Sequence, residues 1–118
     1  MLEQSATAWN HGDLAGFMSY YARDTATSYV WGGHLQHGWQ QLYDHYQANY
    51  FAPGKSRDSL TFEEVRVRPL TSDVALCTAR FALHRKDKVV ASGPFTLILV
   101  KHDERWLIIY DHTSADPK

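Results

Sequence analysis

Residues 74–113 read VALCTARFALHRKDKVVASGPFTLILVKHDERWLIIYDHT. Apolar and polar side chains alternate through this stretch, broken only by Lys86-Asp87-Lys88 and His102-Asp103-Glu104. Alternation over so many residues is the signature of half-buried strands, and short polar breakers suit hairpins rather than crossovers. The stretch therefore predicts three antiparallel strands, Val74 to Arg85, Val89 to Lys101 and Arg105 to Thr113. Leu60 to Pro69 alternates too and joins them through Leu70-Thr71-Ser72-Asp73, so the back half reads as a four-stranded meander.

Upstream of the linker Lys55 to Ser59 the period becomes helical. Leu2, Ala6 and Trp9 recur at helix spacing, and His11-Gly12-Asp13 stops that helix and caps the next. The second helix carries Leu14, Phe17, Met18 and Tyr21 as one stripe and ends near Arg23-Asp24. Thr25 to Trp31 reads as a strand that Gly32-Gly33 breaks, with His34-Leu35-Gln36-His37 as a loop. From Gly38 a third helix aligns Trp39, Leu42, Tyr43, Tyr46 and Tyr50, and Pro53-Gly54 ends it. The order α-α-β-α-β-β-β-β predicts an α+β fold, one helical layer on one curved antiparallel sheet, with all 118 residues in a single domain.

Composition narrows the function classes. Twelve basic and thirteen acidic residues leave a net charge of −1, without a like-charge run that would serve nucleic acid or an anionic membrane. Cys77, the one cysteine, lies in the apolar run from Val74 and predicts an inert buried thiol in a reducing, cytoplasmic compartment. The N-terminus has no basic and apolar regions of an export signal. Aromatic residues make up 14%, enough to line a small-molecule pocket as well as a core. His34 and His37 have a ligand-like gap, yet lack a third ligand at matching spacing, so no metal is expected. No phosphate loop, Ser-His-Asp order or dinucleotide signature is present, so any chemistry is expected to run without a cofactor.

The element order, with Trp9-Asn10-His11-Gly12-Asp13-Leu14 near the start and Trp106-Leu107-Ile108-Ile109-Tyr110-Asp111-His112-Thr113-Ser114 at the end, resembles the nuclear transport factor 2-like superfamily. Within it the chain looks like the SnoaL-like, ketosteroid isomerase-like branch that also holds the association domain of calcium/calmodulin-dependent kinase II. Gly32-Gly33, Gly38-Trp39, Val67-Arg68-Pro69-Leu70 and Gly93-Pro94-Phe95-Thr96-Leu97 support the likeness. The resemblance implies a cone, in which a bent sheet wraps the helices around a cavity, and dimers formed through the sheet's outer face. Isomerases, dehydratases, cyclases, transport factors and assembly modules all share this fold, so it does not choose a function.

Strand alternation puts Leu107, Ile109, Asp111 and Thr113 on one face of the last strand and Trp106, Ile108, Tyr110 and His112 on the other. By resemblance to the association domain, Thr113 lines the cavity, which places Asp111 inside and His112 on the dimer side. Arg80 matches a cavity arginine of that domain, whereas Leu97 and Thr113 stand where it has further basic residues. A buried arginine needs a partner, and Asp111 is the expected one, as a fixed ion pair or as a clamp for a carboxylate ligand. In an apolar cavity Asp111 is also the natural general base, with Tyr21, Tyr29 or Tyr46 to stabilise an enolate and His34 at the mouth as a candidate general acid. His11, His45, His84 and His102 read as surface or turn residues.

Two functions follow. The first is a small-molecule-binding cone, an isomerase-, lyase- or cyclase-type enzyme for a hydrophobic carbonyl compound, walled by Trp9, Tyr21, Tyr29, Trp31, Tyr46, Phe95 and Leu97 around Arg80 and Asp111. The second is a non-enzymatic binding or association module acting through Trp106, Ile108, Tyr110 and His112 as a homodimer surface.

Overall fold

A computed structural model describes residues 1–53 and 58–117. Helix α1 (Leu2–Asn10) ends at the Gly12 turn, and Asp13 caps α2 (Leu14–Met18) by accepting the Gly16 N–H at 2.8 Å. Strands β1 (Ser28–Trp31) and β2 (His34–His37) precede α3 (Trp39–Tyr46), which loosens into one wide π turn at Gln47–Phe51. The meander follows as β3 (Ser59–Pro69), β4 (Val74–Arg85), β5 (Lys88–His102) and β6 (Arg105–Thr113). Residues 55–57 of the expected linker, and Gly54 of the expected helix end, lie outside the described residues, and Ser59 already belongs to β3.

Six strands form one sheet in the order β2-β1-β6-β5-β4-β3. All pairings are antiparallel except β1 with β6, which run parallel. Those two strands are separated by α3 and the whole meander, so no hairpin dictates their relative direction. The helices cover the sheet's concave face, the arrangement expected of an α+β cone.

Two local readings change. His34–His37 is a strand and not a loop: both glycines of Gly32-Gly33 have positive φ, 61° and 81°, the geometry of a two-residue hairpin turn, and Trp31 pairs with His34. The second helix stops at Met18, earlier than expected, because the chain turns to pair with β6. Ala22 N–H donates to the Ile108 carbonyl and Ile108 N–H to the Tyr20 carbonyl, both at 2.8 Å. Tyr21 thus joins the sheet's rim while its side chain stays with the α2 stripe in the core.

The sheet bends where three residues or residue pairs interrupt its register, since an extra residue in one strand kinks it and increases its twist. Glu64 and Val65 interrupt β3, with Glu64 at φ 54°; Val90 interrupts β5; Ile109 interrupts β6, where Ile108 pairs with Leu99 and Tyr110 with Ile98. Inside the curve, Trp9 centres the core. Its indole lies 5.1–5.6 Å, centroid to centroid, from Phe17, Tyr46, Tyr50 and Phe51, and its Nε1–H donates to the Asp58 carbonyl. The Asn10 side chain brackets Leu60, accepting its N–H and donating to its carbonyl, which ties α1 to the edge of β3.

Candidate functional site

Between the helices and the concave face lies a cavity of about 90 Å³, several times the ~10–15 Å³ that one water needs. Asp111 is its polar centre. β6 delivers the carboxylate inward opposite Leu97, and β1 runs alongside with Tyr29 level with it. Asp111 is 6% exposed, and each of its oxygens accepts one hydroxyl: Tyr21 donates to Oδ2 at 2.6 Å and Thr113 to Oδ1 at 2.7 Å. The Tyr46 hydroxyl interacts in turn with that of Tyr21.

The electrostatics follow from burial. Loss of water lifts the Asp111 carboxyl above its ordinary value, against the pull of the Tyr21 and Thr113 hydroxyls and the nearby His112. Burial and the Asp111 charge push the phenols of Tyr21 and Tyr46 well up, so both remain protonated donors at neutral pH. Because the folded state holds the Asp111 proton more tightly than the unfolded state, it binds more protons between the ordinary carboxylate value and the raised one. Stability contributed by this group is therefore lost as pH rises through that window. Urea melts of wild type against Asp111→Asn are expected to show a gap that moves in the mutant's favour as pH climbs; a pH-independent gap would contradict the assignment.

Trp9, Tyr21, Tyr29, Trp31, Tyr46, Phe95, Leu97, Asp111 and Thr113 all line this cavity. Arg80 and His34 do not. In β4 the residues that join the core are Ala75, Cys77, Ala79, Phe81 and Leu83, so Arg80, between Ala79 and Phe81, points to the outer face. There it pairs with Asp116 and lies 3.7 Å from Glu64, and Asp116 also accepts the Ser92 hydroxyl. The expected Arg80–Asp111 pair does not form. With it goes the carboxylate clamp, and among the described residues no lysine or arginine lines the cavity. His34 is exposed in β2, and His37 accompanies it with Nδ1 against the Ser28 hydroxyl.

The expected outer face also changes. Ile109 is the bulge of β6, so it and Tyr110 both fall outside while Ile108, 3% exposed, lines the cavity and Trp106 packs on the core. Strict alternation had put Trp106 and Ile108 outside and Leu107 and Ile109 inside; one extra residue reverses the strand's first half. Phe81 and His45 are among the cavity residues that escaped notice in the sequence. Phe81 follows from the corrected face of β4. His45, read as a surface residue, lines the cavity between Tyr29 and Tyr46, with ring centroids 6.2 and 5.8 Å away. Its signal was available: it sits three residues after Leu42, on the edge of the buried stripe of α3.

A bent sheet wrapped round three helices, with an aromatic cavity at its centre, defines the cone class of ligand-binding and enzymatic domains. The SnoaL-like domain model matches residues 1–116, and the chain belongs to that family, within the nuclear transport factor 2-like superfamily. Among solved structures it is similar to an NTF-2 like protein of unknown function from Shewanella oneidensis MR-1, with 32% identity over 96% of this chain and 92% of that one and a TM-score of 0.86. The fold is shared with a candidate calcium/calmodulin-dependent protein kinase II association domain from Xanthomonas campestris, at 21% identity, 99% and 84% coverage and a TM-score of 0.73. It is shared too with a nuclear transport factor 2-like superfamily protein from Salmonella enterica, at 15% identity, 99% and 87% coverage and a TM-score of 0.76. No curated protein matches the sequence. Among the described residues no helix is long and apolar enough to cross a membrane.

Proposed function

We propose that the whole chain acts as one small-molecule-binding domain, an isomerase-, lyase- or cyclase-type enzyme without a cofactor, in which Asp111 takes a proton from carbon beside the carbonyl of a compact apolar substrate. One observation carries the reading: a carboxylate buried among aromatic rings, oriented by two hydroxyls and without a cationic partner among the described residues of the cavity wall. A structural carboxylate at this depth is ordinarily neutralised by a cation, because burying charge unpaired is costly. An unpaired, desolvated one is instead the form suited to a general base, its proton affinity raised towards working pH. A substrate without negative charge fits, since the described residues of the wall offer no lysine or arginine to an anion. The buried thiol of Cys77 accords with a reducing, cytoplasmic setting.

Thermal melting across a panel of small neutral ketones and aldehydes, with their free acids as controls, tests the assignment. Neutral carbonyl compounds are expected to raise Tm, and the acids to leave it unchanged. Asp111→Asn is expected to keep the shifts while abolishing exchange of the substrate's α-hydrogen for deuterium, followed by NMR. Stabilisation by the acids alone would refute the reading, as would undiminished exchange in the mutant.

A homodimer through the sheet's outer face is the accompanying proposal, supported by one corrected surface. Leu107, Ile109 and Tyr110 of β6 stand beside Ile98 and Val100 of β5, all partly or well exposed on the convex side. A contiguous apolar patch of this kind is what associating surfaces present. Light scattering of Tyr110→Asp is expected to give half the wild-type mass; an unchanged mass would place the interface elsewhere.

A further inference from the structure

Every phenol that the sequence offered as a partner for the developing enolate is already committed. Tyr21 donates its proton to Asp111 itself, Tyr29 donates to Gln36 Oε1 at 3.2 Å, and Tyr46 is engaged with Tyr21. Thr113 likewise donates to Asp111, Ser5 to the Leu2 carbonyl and Trp9 to the Asp58 carbonyl. A base that removes a proton from carbon needs a donor at the far end of the conjugated system, where the charge arrives, or the barrier stays high.

His45 supplies what those residues do not. It lines the same cavity from α3, across from β6, with Tyr29 of β1 and Tyr46 of its own helix as its ring neighbours. Asn49, one turn on, holds its Nδ2 amide 2.8 Å from the His45 carbonyl and 3.4 Å from Nδ1. An amide donor at Nδ1 favours the tautomer whose proton sits on Nε2, because Nδ1 must then present its lone pair. Among the described residues Nε2 has no partner, and since it is not a buried unsatisfied atom it is open to solvent, on a ring that lines the cavity. The titratable groups facing this ring are Tyr29, Tyr46 and, across the cavity, the Tyr21–Asp111 pair. Burial lowers its proton affinity, which keeps the imidazole neutral and its single Nε2 proton available as a hydrogen-bond donor. Two other lining groups have free N–H or O–H donors, but Trp31 packs on Phe81 and is partly exposed, and Tyr50 lies by Asp58 on the Trp9 side.

We propose that His45 is a catalytic residue whose Nε2–H binds the substrate's carbonyl oxygen and stabilises the negative charge arriving there as Asp111 accepts the neighbouring C–H proton. The electrons balance without a co-reactant. The C–H pair becomes the C=C bond of the enolate, the C=O pair moves to the oxygen held by His45, and the proton rests on Asp111 until it returns to carbon. The ligand class sharpens accordingly: a compact apolar molecule, uncharged, with one carbonyl oxygen next to an acidic C–H. This rests on the proton-abstraction role of Asp111.

Substituted phenols serve as probes, since a phenol mimics an enolate oxygen on a planar apolar body. Binding is measured by calorimetry for wild type, His45→Leu, His45→Gln, Tyr50→Phe, Trp31→Phe and Asp111→Asn. One hydrogen bond is worth roughly 0.5–1.5 kcal/mol, so His45→Leu is expected to weaken phenols about threefold to tenfold. His45→Gln, which keeps a donor, should restore part of the loss, whereas Tyr50→Phe and Trp31→Phe, which alter the wall but not this donor, should keep the dependence of affinity on phenol acidity. Affinity should also rise with phenol acidity in wild type and lose that dependence in His45→Leu. Independently of any variant, the His45 Nε2 proton should move downfield in NMR when a phenol binds. Unaltered affinity in His45→Leu, or a loss confined to Tyr50→Phe or Trp31→Phe, would overturn this role and leave the Asp111 assignment standing. Failure of wild type to bind phenols and ketones alike would overturn both.

Discussion

Replacing Trp9 with alanine is expected to remove about 3–5 kcal/mol of folding stability, a large share of the ~5–15 kcal/mol that domains of this size possess. The indole is 3% exposed and touches rings from three parts of the chain: Phe17 of α2, Tyr46 of α3, and Tyr50 and Phe51 of the π turn. Its removal leaves a cavity that these rings, each fixed from a different element, cannot jointly close. It also frees the Asp58 carbonyl from the Nε1–H it accepts at 3.0 Å. Trp9→Phe separates the two contributions, because it keeps a ring and deletes the donor, and should cost about 1 kcal/mol for the bond plus a packing penalty. Urea melts of the three proteins provide the measurement. A Trp9→Ala protein within ~1 kcal/mol of wild type would mean that the aromatic cluster does not organise the core.

The second large effect is expected at Gly93. β5 passes so close beneath the C-terminal tail that a Cβ there would stand 2.8 Å from the Ser114 carbonyl carbon and 3.0 Å from Ala115 Cα. Those are backbone atoms, which cannot rotate aside. Gly93→Ala should therefore cost about 1–3 kcal/mol as overpacking and lift the tail off the sheet. With it go the hydrogen bonds of Ser114 N–H to the Pro94 carbonyl and of Asp116 N–H to the Ser92 carbonyl, and the Asp116 contacts to Ser92 and Arg80. Coupling makes this specific. Asp116→Ala should destabilise wild type measurably yet change Gly93→Ala little, since the contacts it removes are already gone. Additive losses would show that the tail stays docked and that the clash relaxes within β5.

The same tail explains why Arg80 was misread. A charged residue in an apolar run looks buried when the run alone is considered, and Asp111 was the acid that the resemblance placed inside. Asp116, thirty-six residues from Arg80, reaches it only because the chain beyond Thr113 turns back over Gly93. Asp111 itself was legible. Its place on an alternating strand, two residues before Thr113, survives because the bulge at Ile109 comes before it and leaves the end of the strand in phase. For Trp106, Leu107 and Ile108, on the other side of the bulge, every expected face was reversed. His45 was overlooked for a different reason. A histidine beside a tyrosine on an amphipathic helix is ordinarily a boundary residue, and only the inward curve of β1 brings Tyr29 against it.

By itself the sequence determined the α+β class and the bounds of β4 and β6 to the residue, and it offered the aromatic side chains that wall the interior. Those properties are local or periodic: alternation and short polar breakers act on neighbouring residues, and apolar side chains need only a common face. Tertiary structure decided the rest. The short polar strand β2 exists because β1 is anchored on β6 and offers it a paired edge. The bulges that bend the sheet arise from wrapping it around helices, and they decide which side of each strand meets the cavity. Side-chain identity sets what a residue can do chemically, whereas the curvature of the whole sheet sets what it faces. For that reason Asp111 stands in the wall without Arg80, and with His45 opposite.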